Sequence, residues 1–570
     1  MNLIRFKHLL VGSFLLLPFG ITAQALQPTP VSGETAWPKA DPAAVAHWQS
    51  LRFGMFIHWG PVSLTGQEIG WSRGAETPIA VYDNLFKQFN PTNFNAEAWV
   101  SVAQAAGMKY IVLTAKHHDG FCLWDTKLTE YNIMHTPFHR DVVKELAAAC
   151  KQAGIEFGTY YSTCDWYNTN WPATSPGGSV KRETSNLDAY ETYLQGQMTE
   201  LIKNYGPLLT IWNDVPNFQG ANYGTRGAAT IKMVRRLQAN ITINDRTGDG
   251  GDYDTPEQRI GKFQLDRPWE SCMTVSAHNA WAWGGATDGV KSTAACLDML
   301  IRVAGGDGNM LLNVGPRPDG VIDPAQADRL KEIGVWLAKN GESIYGTRGG
   351  PWKPTRRVVS TRQGNTVFLH VIQSESGQVT LPALPAAIKS ATLLSGGEVA
   401  FSEKDGNLDV RIPQSSLDPV DTIVRLELDQ PAMEIPALEP SAGIKTSASN
   451  VFQQDETDYG AQQAFDRDAQ TRWATDNGTK QAWIAADLGK PTLIESVRIQ
   501  EAVPYAGRVT KFDLQYRNGG EWRTIFSGTQ LGDHFQKQFA PVKAQEFRLN
   551  ILDATEGPTI AEIELVAVKP

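Results

Sequence analysis

The strongest constraint on the fold is an alternation of two patterns between about residues 44 and 345. Strand-like apolar runs occur at 53–59, 110–114, 157–162, 208–213, 241–244, 272–275 and 310–314. Helix-like segments lie between them, at 96–106, 140–153, 187–204, 228–238 and 325–340. In the second of these segments Val142, Val143, Leu146, Ala147 and Cys150 fall at helical spacing, and Gly154 is placed to end the helix in a left-handed turn. Strand and helix in strict succession predict a parallel sheet covered by helices, and over about 300 residues a closed (β/α)8-like barrel. An open doubly wound sheet is the alternative, but no G-x-G-x-x-G turn supports it.

The remainder of the chain has a different texture. Short alternating runs at 366–372, 378–381, 391–394 and 422–428 predict a small β-sandwich over about 350–430. A proline-rich joint (Pro431, Pro436, Pro440) leads into a second all-β region, 438–570. At the other end Arg5, Lys7 and His8 precede an apolar stretch, 9–21, and the small-residue site Ala23-Gln24-Ala25. That is the pattern of a secretory signal peptide over residues 1–25, so an exported protein, periplasmic or secreted, is expected. No stretch is long and apolar enough to span a membrane. A formal charge of −9 over 570 residues argues against a nucleic-acid surface. Five widely spaced cysteines with no C-x-x-C pair suggest buried free thiols, not a disulfide framework or a zinc site.

In a parallel barrel the chemistry sits at the carboxyl ends of the strands. The first run ends at His58-Trp59-Gly60, and the second leads into Lys116-His117-His118-Asp119-Gly120. The third carries Tyr160 and Tyr161 and continues to Asp165-Trp166; the fourth, L-L-T-I-W-N-D, stops at Asp214. The fifth ends at Asn244-Asp245-Arg246, and the sixth is bounded by Trp269-Glu270, with Trp281 and Trp283 beyond it. Six polar ends in succession describe a polar pocket with aromatic walls. The adjacent pair His117-His118 differs from the H-x-H spacing that puts two ligands on one strand face, and neutral imidazoles binding hydroxyl groups fit equally well without a metal. No G-x-S-x-G elbow is present. Two carboxylates are what glycoside hydrolysis needs. Asp214 is the first candidate. Glu257, in the Gly- and Asp-rich loop G-D-G-G-D-Y-D-T-P-E, and Glu270, at a strand boundary where a partner such as Arg246 would make it structural, compete for the second.

The strings F-G-M-F-I-H-W-G, Y-I-V-L-T-A-K-H-H-D-G-F, F-G-T-Y-Y-S-x-C-D-W, I-W-N-D, N-D-R, P-W-E-S-C-M-T and G-N-M-L-L-N-V-G-P-R-P-D-G resemble, in order, glycoside hydrolase family 29, the α-L-fucosidases. The resemblance implies a retaining exo-enzyme without metal or cofactor that releases terminal α-L-fucose from fucosylated oligosaccharides or glycoconjugates through a covalent glycosyl-enzyme. It assigns Asp214 as nucleophile and Glu257 as acid/base, with Glu270 as runner-up. It places His58, His117, His118 and Tyr161 (or Tyr160) on the sugar hydroxyls and Arg246 and Trp283 in the pocket wall. Trp71 matches an aromatic of the E-W-Y-S-R string, whereas Glu68 is displaced by two residues from that pattern. The final region resembles the discoidin-like (coagulation factor 5/8 type C) sandwiches, many of which bind carbohydrate. Asp466, Asp468, Thr471 and Glu562 match positions that often hold calcium there, and Trp473 and Trp483 are expected in its core. The alternative reading is a secreted glycan-binding protein with an inactive barrel. Linkage preference and oligomeric state are not specified by the sequence.

Overall fold

The computed structural model describes residues 38–570 apart from 175–181, 183, 215–222, 248–250, 262, 356, 373, 375–376, 405, 439–443, 456–458, 467–470, 504 and 569–570. The expected signal peptide therefore lies outside the described residues.

Seven parallel strands form one curled sheet: β1 (Phe53–Ile57), β2 (Tyr110–Lys116), β3 (Glu156–Ser162), β4 (Thr210–Asp214), β5 (Thr242–Ile243), β6 (Glu270–Thr274) and β7 (Asn309–Val314). Their order is β5-β4-β3-β2-β1-β7-β6. β1, β2, β6 and β7 are buried along their whole length, which is why they read as unbroken apolar runs and not as alternating ones. Helices Ala96–Ala105, Val142–Ala153, Leu187–Tyr205, Tyr223–Leu237, Thr293–Gly305 and Pro324–Asn340 connect and cover them. The second shows how locally the boundaries are written. The Asp141 side chain accepts from the Lys144 amide at its start, and Gly154 ends it at φ 69°.

β5 and β6 do not pair with each other. The segment 252–258 runs between them, joined by single parallel bridges: Asn244 to Tyr253 on the β5 side, Asp254 to Trp269 and Glu257 to Cys272 on the β6 side. The Glu270 amide donates to the Asp254 carbonyl (2.8 Å) and the Gln258 amide to the Cys272 carbonyl (2.9 Å). This irregular stave stands where the eighth strand of a (β/α)8 barrel would be. Tyr253, stacked on Trp48 at 4.2 Å, fixes its apolar side in the barrel core.

Beyond the barrel, a five-stranded sheet (Arg348–Gly349, Val358–Gln363, Thr366–Ile372, Ile388–Leu393, Asp421–Leu428) and a three-stranded one (Gln378–Pro382, Ala400–Lys404, Asn407–Arg411) share one core that includes Trp352, Leu369, Leu408 and Val424. Leu438 still pairs with Trp352, so the chain stays with this sandwich to that point. The last region is antiparallel, dominated by the long strands Ala482–Glu501 and Phe535–Ala554. Trp473 is fully buried in its core. Trp483, expected there too, is only half-buried and lies beside the Arg548 guanidinium (5.9 Å), because strand alternation turns it to the outer face while its neighbours Ala482 and Ile484 point inward. Thr471 donates to the Asp466 carboxylate (2.8 Å), and Asp468 lies outside the described residues. All five cysteines are free and buried. Among the described residues no helix is long and apolar enough to cross a membrane.

Candidate active site

A cavity of about 110 Å³ opens at the carboxyl ends of the barrel strands. His58, Trp71, His117, His118, Tyr160, Trp212, Asp214, Arg246, Glu257 and Trp281 line it, with Phe56 and Cys272 at its base.

β4 delivers Asp214. Its end is pinned on one side by Asn244, whose side-chain amide exchanges two hydrogen bonds of 2.8 Å with the Asn213 backbone. On the other side the amide and hydroxyl of Thr163 both donate to the Asp214 carbonyl. Among the described residues the carboxylate meets Arg246, Tyr160 and His118. Arg246 Nη1 donates to Oδ1 at 2.6 Å, the Tyr160 hydroxyl donates to Oδ2 at 2.7 Å, and His118 Nε2 stands 3.6 Å from Oδ2. Burial alone would raise the pKa of this carboxyl. The Arg246 charge, His118 and the Tyr160 hydrogen bond outweigh burial and hold it below the usual carboxylate value. Asp214 is a carboxylate kept ionised.

Arg246 links this carboxylate to the second. Its guanidinium lies 4.7 Å over the Trp212 ring, Nε donates to the Thr255 hydroxyl (3.0 Å), and Nη2 donates to Glu257 Oε2 (2.7 Å). One guanidinium therefore bonds Asp214 and Glu257 together. Their oxygens are no further apart than two hydrogen bonds and the width of the fork, which accommodates the roughly 5–5.5 Å of a retaining pair.

The three histidines of the cavity are neutral. Burial pushes His58 down to about 3 and His118 down to about 4, and drives His117 well below its ordinary value. His118 Nδ1 lies 2.7 Å from Ser162 Oγ, and that hydroxyl is itself donating to the Cys164 carbonyl. The proton is thus on Nδ1, and Nε2 offers a lone pair to the cavity. Trp71, 46% exposed, stands at the mouth with its ring edge-on to His118 and to Trp166.

Two sequence-based placements, Tyr161 and Trp283, are corrected, and Glu68 and Glu270 prove structural. Tyr161 does not reach the cavity: its hydroxyl donates to Gln197 (2.7 Å), and its ring receives the Lys116 ammonium (4.3 Å) on the outer face of β3. Tyr160 holds the inward position, since adjacent residues on a strand face opposite ways. Trp281, not Trp283, lines the wall; Trp283 turns to donate to Asp323 (3.2 Å). Glu68 makes no sugar subsite, because its carboxylate caps the amides of Ile69, Trp281 and Ala282. Glu270 is buried beneath the cavity, where it accepts from the Tyr110 hydroxyl (2.5 Å) and Trp212 Nε1 (3.1 Å), not from Arg246. Among the described residues, no three His, Cys, Asp or Glu side chains converge as a metal site would.

A parallel barrel with an ionised carboxylate, a second carboxylate on the same guanidinium and a cavity walled by neutral imidazoles and aromatic rings has the make-up of a glycoside hydrolase that works by paired carboxylates. The α-L-fucosidase family model matches residues 21–342, and the F5/8 type C domain model matches 444–565. Tissue α-L-fucosidase of Rattus norvegicus is 30% identical over 69% of this chain and 91% of its own length; the Homo sapiens enzyme is 29% identical over 66% and 87%. In structure, α-L-fucosidase isoenzyme 1 from Paenibacillus thiaminolyticus superposes with a TM-score of 0.63 at 32% identity, covering 68% of this chain and 99% of its own. The enzyme of Bacteroides thetaiotaomicron, trapped as a covalent intermediate with a fluoro-fucosyl fluoride, gives 0.63 at 26% identity, covering 70% and 99%. The chain belongs to glycoside hydrolase family 29, the α-L-fucosidases.

Proposed function

We propose that Asp214 is the nucleophile and Glu257 the acid/base of this retaining α-L-fucosidase. The observation that carries the assignment is the Arg246 guanidinium bonded to one oxygen of each carboxylate. In the first step an Asp214 oxygen bonds to the anomeric carbon as the bond to the aglycone oxygen breaks, and Glu257 gives its proton to that oxygen. In the second, water gives a proton to Glu257 and its oxygen to the same carbon, which releases Asp214 and leaves fucose with its configuration retained. Tyr160 and Arg246 hold the nucleophile in place, and the imidazoles of His58, His117 and His118 accept from the sugar hydroxyls. The substrate class is a terminal α-L-fucoside on an oligosaccharide or glycoconjugate.

Two further parts of the reading rest on sequence. The first 25 residues address the chain for export, and the F5/8 type C region holds carbohydrate near the catalytic barrel. The deciding experiment is turnover of an aryl α-L-fucoside by the wild type, Asp214→Gly and Glu257→Ala. Asp214→Gly should lose activity and, given azide, yield a β-linked fucosyl azide. Glu257→Ala should fail chiefly on substrates with poor leaving groups; an undiminished rate on them would remove Glu257 from the acid role.

A further inference from the structure

The inner wall contains a chain of hydrogen bonds whose sense is fixed by one backbone carbonyl. Asn313, at the end of β7 and 1% exposed, donates from Nδ2 to the Trp281 carbonyl at 2.7 Å. A carbonyl can only accept, so the amide of Asn313 has one orientation, with Oδ1 turned toward His58. That oxygen lies 2.6 Å from His58 Nδ1 and likewise can only accept. The proton of the neutral imidazole is therefore on Nδ1, and Nε2 is the nitrogen left to the cavity, as a lone pair. Trp281 is held from its other side, since its amide donates to Glu68 Oε2 (2.8 Å). Its ring packs 4.9 Å from His58 in the same wall.

From this geometry we infer that Asn313 is a positioning residue: it sets the tautomer of His58, so that the imidazole accepts a sugar hydroxyl and does not donate to it, and it locks Trp281 into the same wall. The inference rests on the cavity being the fucose site. A hydroxyl that must donate to His58 leaves its own lone pairs for other donors, so the lock orients the hydroxyl and not merely the ring. The groups that face His58 besides Asn313 are Asp214, His117, His118 and Tyr160. Among them only Asp214 is an anion, across the cavity.

The test is Asn313→Asp beside Asn313→Ala, read as the pH profile of kcat/KM on an aryl α-L-fucoside. A carboxylate against Nδ1 would raise His58 by about 1–3 pH units and create an imidazolium whose Nε2 donates. Asn313→Asp should therefore show an acid limb moved to higher pH than in the wild type, with kcat/KM partly recovering as the pH rises. Asn313→Ala should lose ten- to hundredfold at every pH, mainly in KM, with no new ionisation. A profile of wild-type shape in Asn313→Asp, or full kcat/KM in Asn313→Ala, would overturn the inference. Should the aspartate variant fail to fold, the alanine variant decides alone. Asp214→Gly with azide, run in parallel, separates the two readings: product from that variant with unchanged Asn313 variants refutes only the lock, whereas no turnover of any fucoside by the wild type refutes the site.

Discussion

Glu270→Gln is the perturbation that best tests the division of labour between the two glutamates. Glu270 lies beneath the cavity with no cation against it, and burial, only partly opposed by the Tyr110 and Trp212 hydrogen bonds, lifts it from 4.5 to about 7. Between those values the folded protein holds a proton that the unfolded chain has released. The stabilising contribution is complete below about 4.5 and is lost as the pH rises through 7, at about 1.4 kcal/mol per pH unit. Over the whole interval the wild type gives up about 3 kcal/mol that an uncharged glutamine cannot lose. Glutamine keeps an oxygen for Trp212 and presents an amide to the Tyr110 oxygen, so at pH 4.5 the two proteins should unfold nearly together. At pH 8 the variant's barrel should melt higher, by roughly 5–10 °C. Calorimetry of the full chain at both pH values reads the difference, with the barrel transition recognised by its shift with a fucose-like iminocyclitol. Other titrating groups, such as Asp119, are common to both proteins and cancel. A gap that does not change with pH would refute the buried neutral acid, and loss of turnover only on poor leaving groups would return the acid role to Glu270.

Tyr160→Phe removes the hydroxyl that donates to the charged Asp214 carboxylate, a bond of about 1.5–3 kcal/mol, so kcat/KM should fall ten- to 150-fold. Tyr161→Phe breaks the bond to Gln197 and should cost about 1 kcal/mol of stability with kinetics unchanged; equal kinetic losses in the pair would reverse the assignment of faces. Trp281→Ala should raise KM at least tenfold while Trp283→Ala leaves it within threefold, measured on the same aryl fucoside. Gly70 sits at φ 68°, and a Cβ there would lie 2.7 Å from His117 Nδ1, so Gly70→Ala should displace that imidazole and weaken binding of a fucose-like inhibitor severalfold.

The sequence carried the barrel because its strands are buried on both faces and its helices bring their own caps. It carried Asp214, Arg246 and the three histidines because each follows directly from a strand end. Tyr160 and Trp281 were not legible in the same way. Period-two alternation says that one of two neighbours points inward, but which one depends on register with the adjacent strand, here Tyr160 opposite Trp212. Beyond β6 the chain is irregular and carries no period at all, so Trp281 and Trp283 could not be told apart. The stave at 252–258 was hidden for a related reason. The glycines just before it and its own aspartates read as loop, and only single bridges to β5 and β6 make it part of the wall.

That stave has a consequence for how the enzyme can change. A strand bound by a full ladder cannot gain or lose a residue without turning every side chain to the wrong face. Glu257 instead rides on a segment attached at three separate points, while Asp214 is embedded in a continuous strand with fixed neighbours. The segment that bears Glu257 can therefore be remodelled without slipping a strand's register, as long as the Thr255 and Glu257 contacts that hold Arg246 against Asp214 are kept. The same barrel could thus be fitted to aglycones of different basicity by remodelling one short stretch of chain.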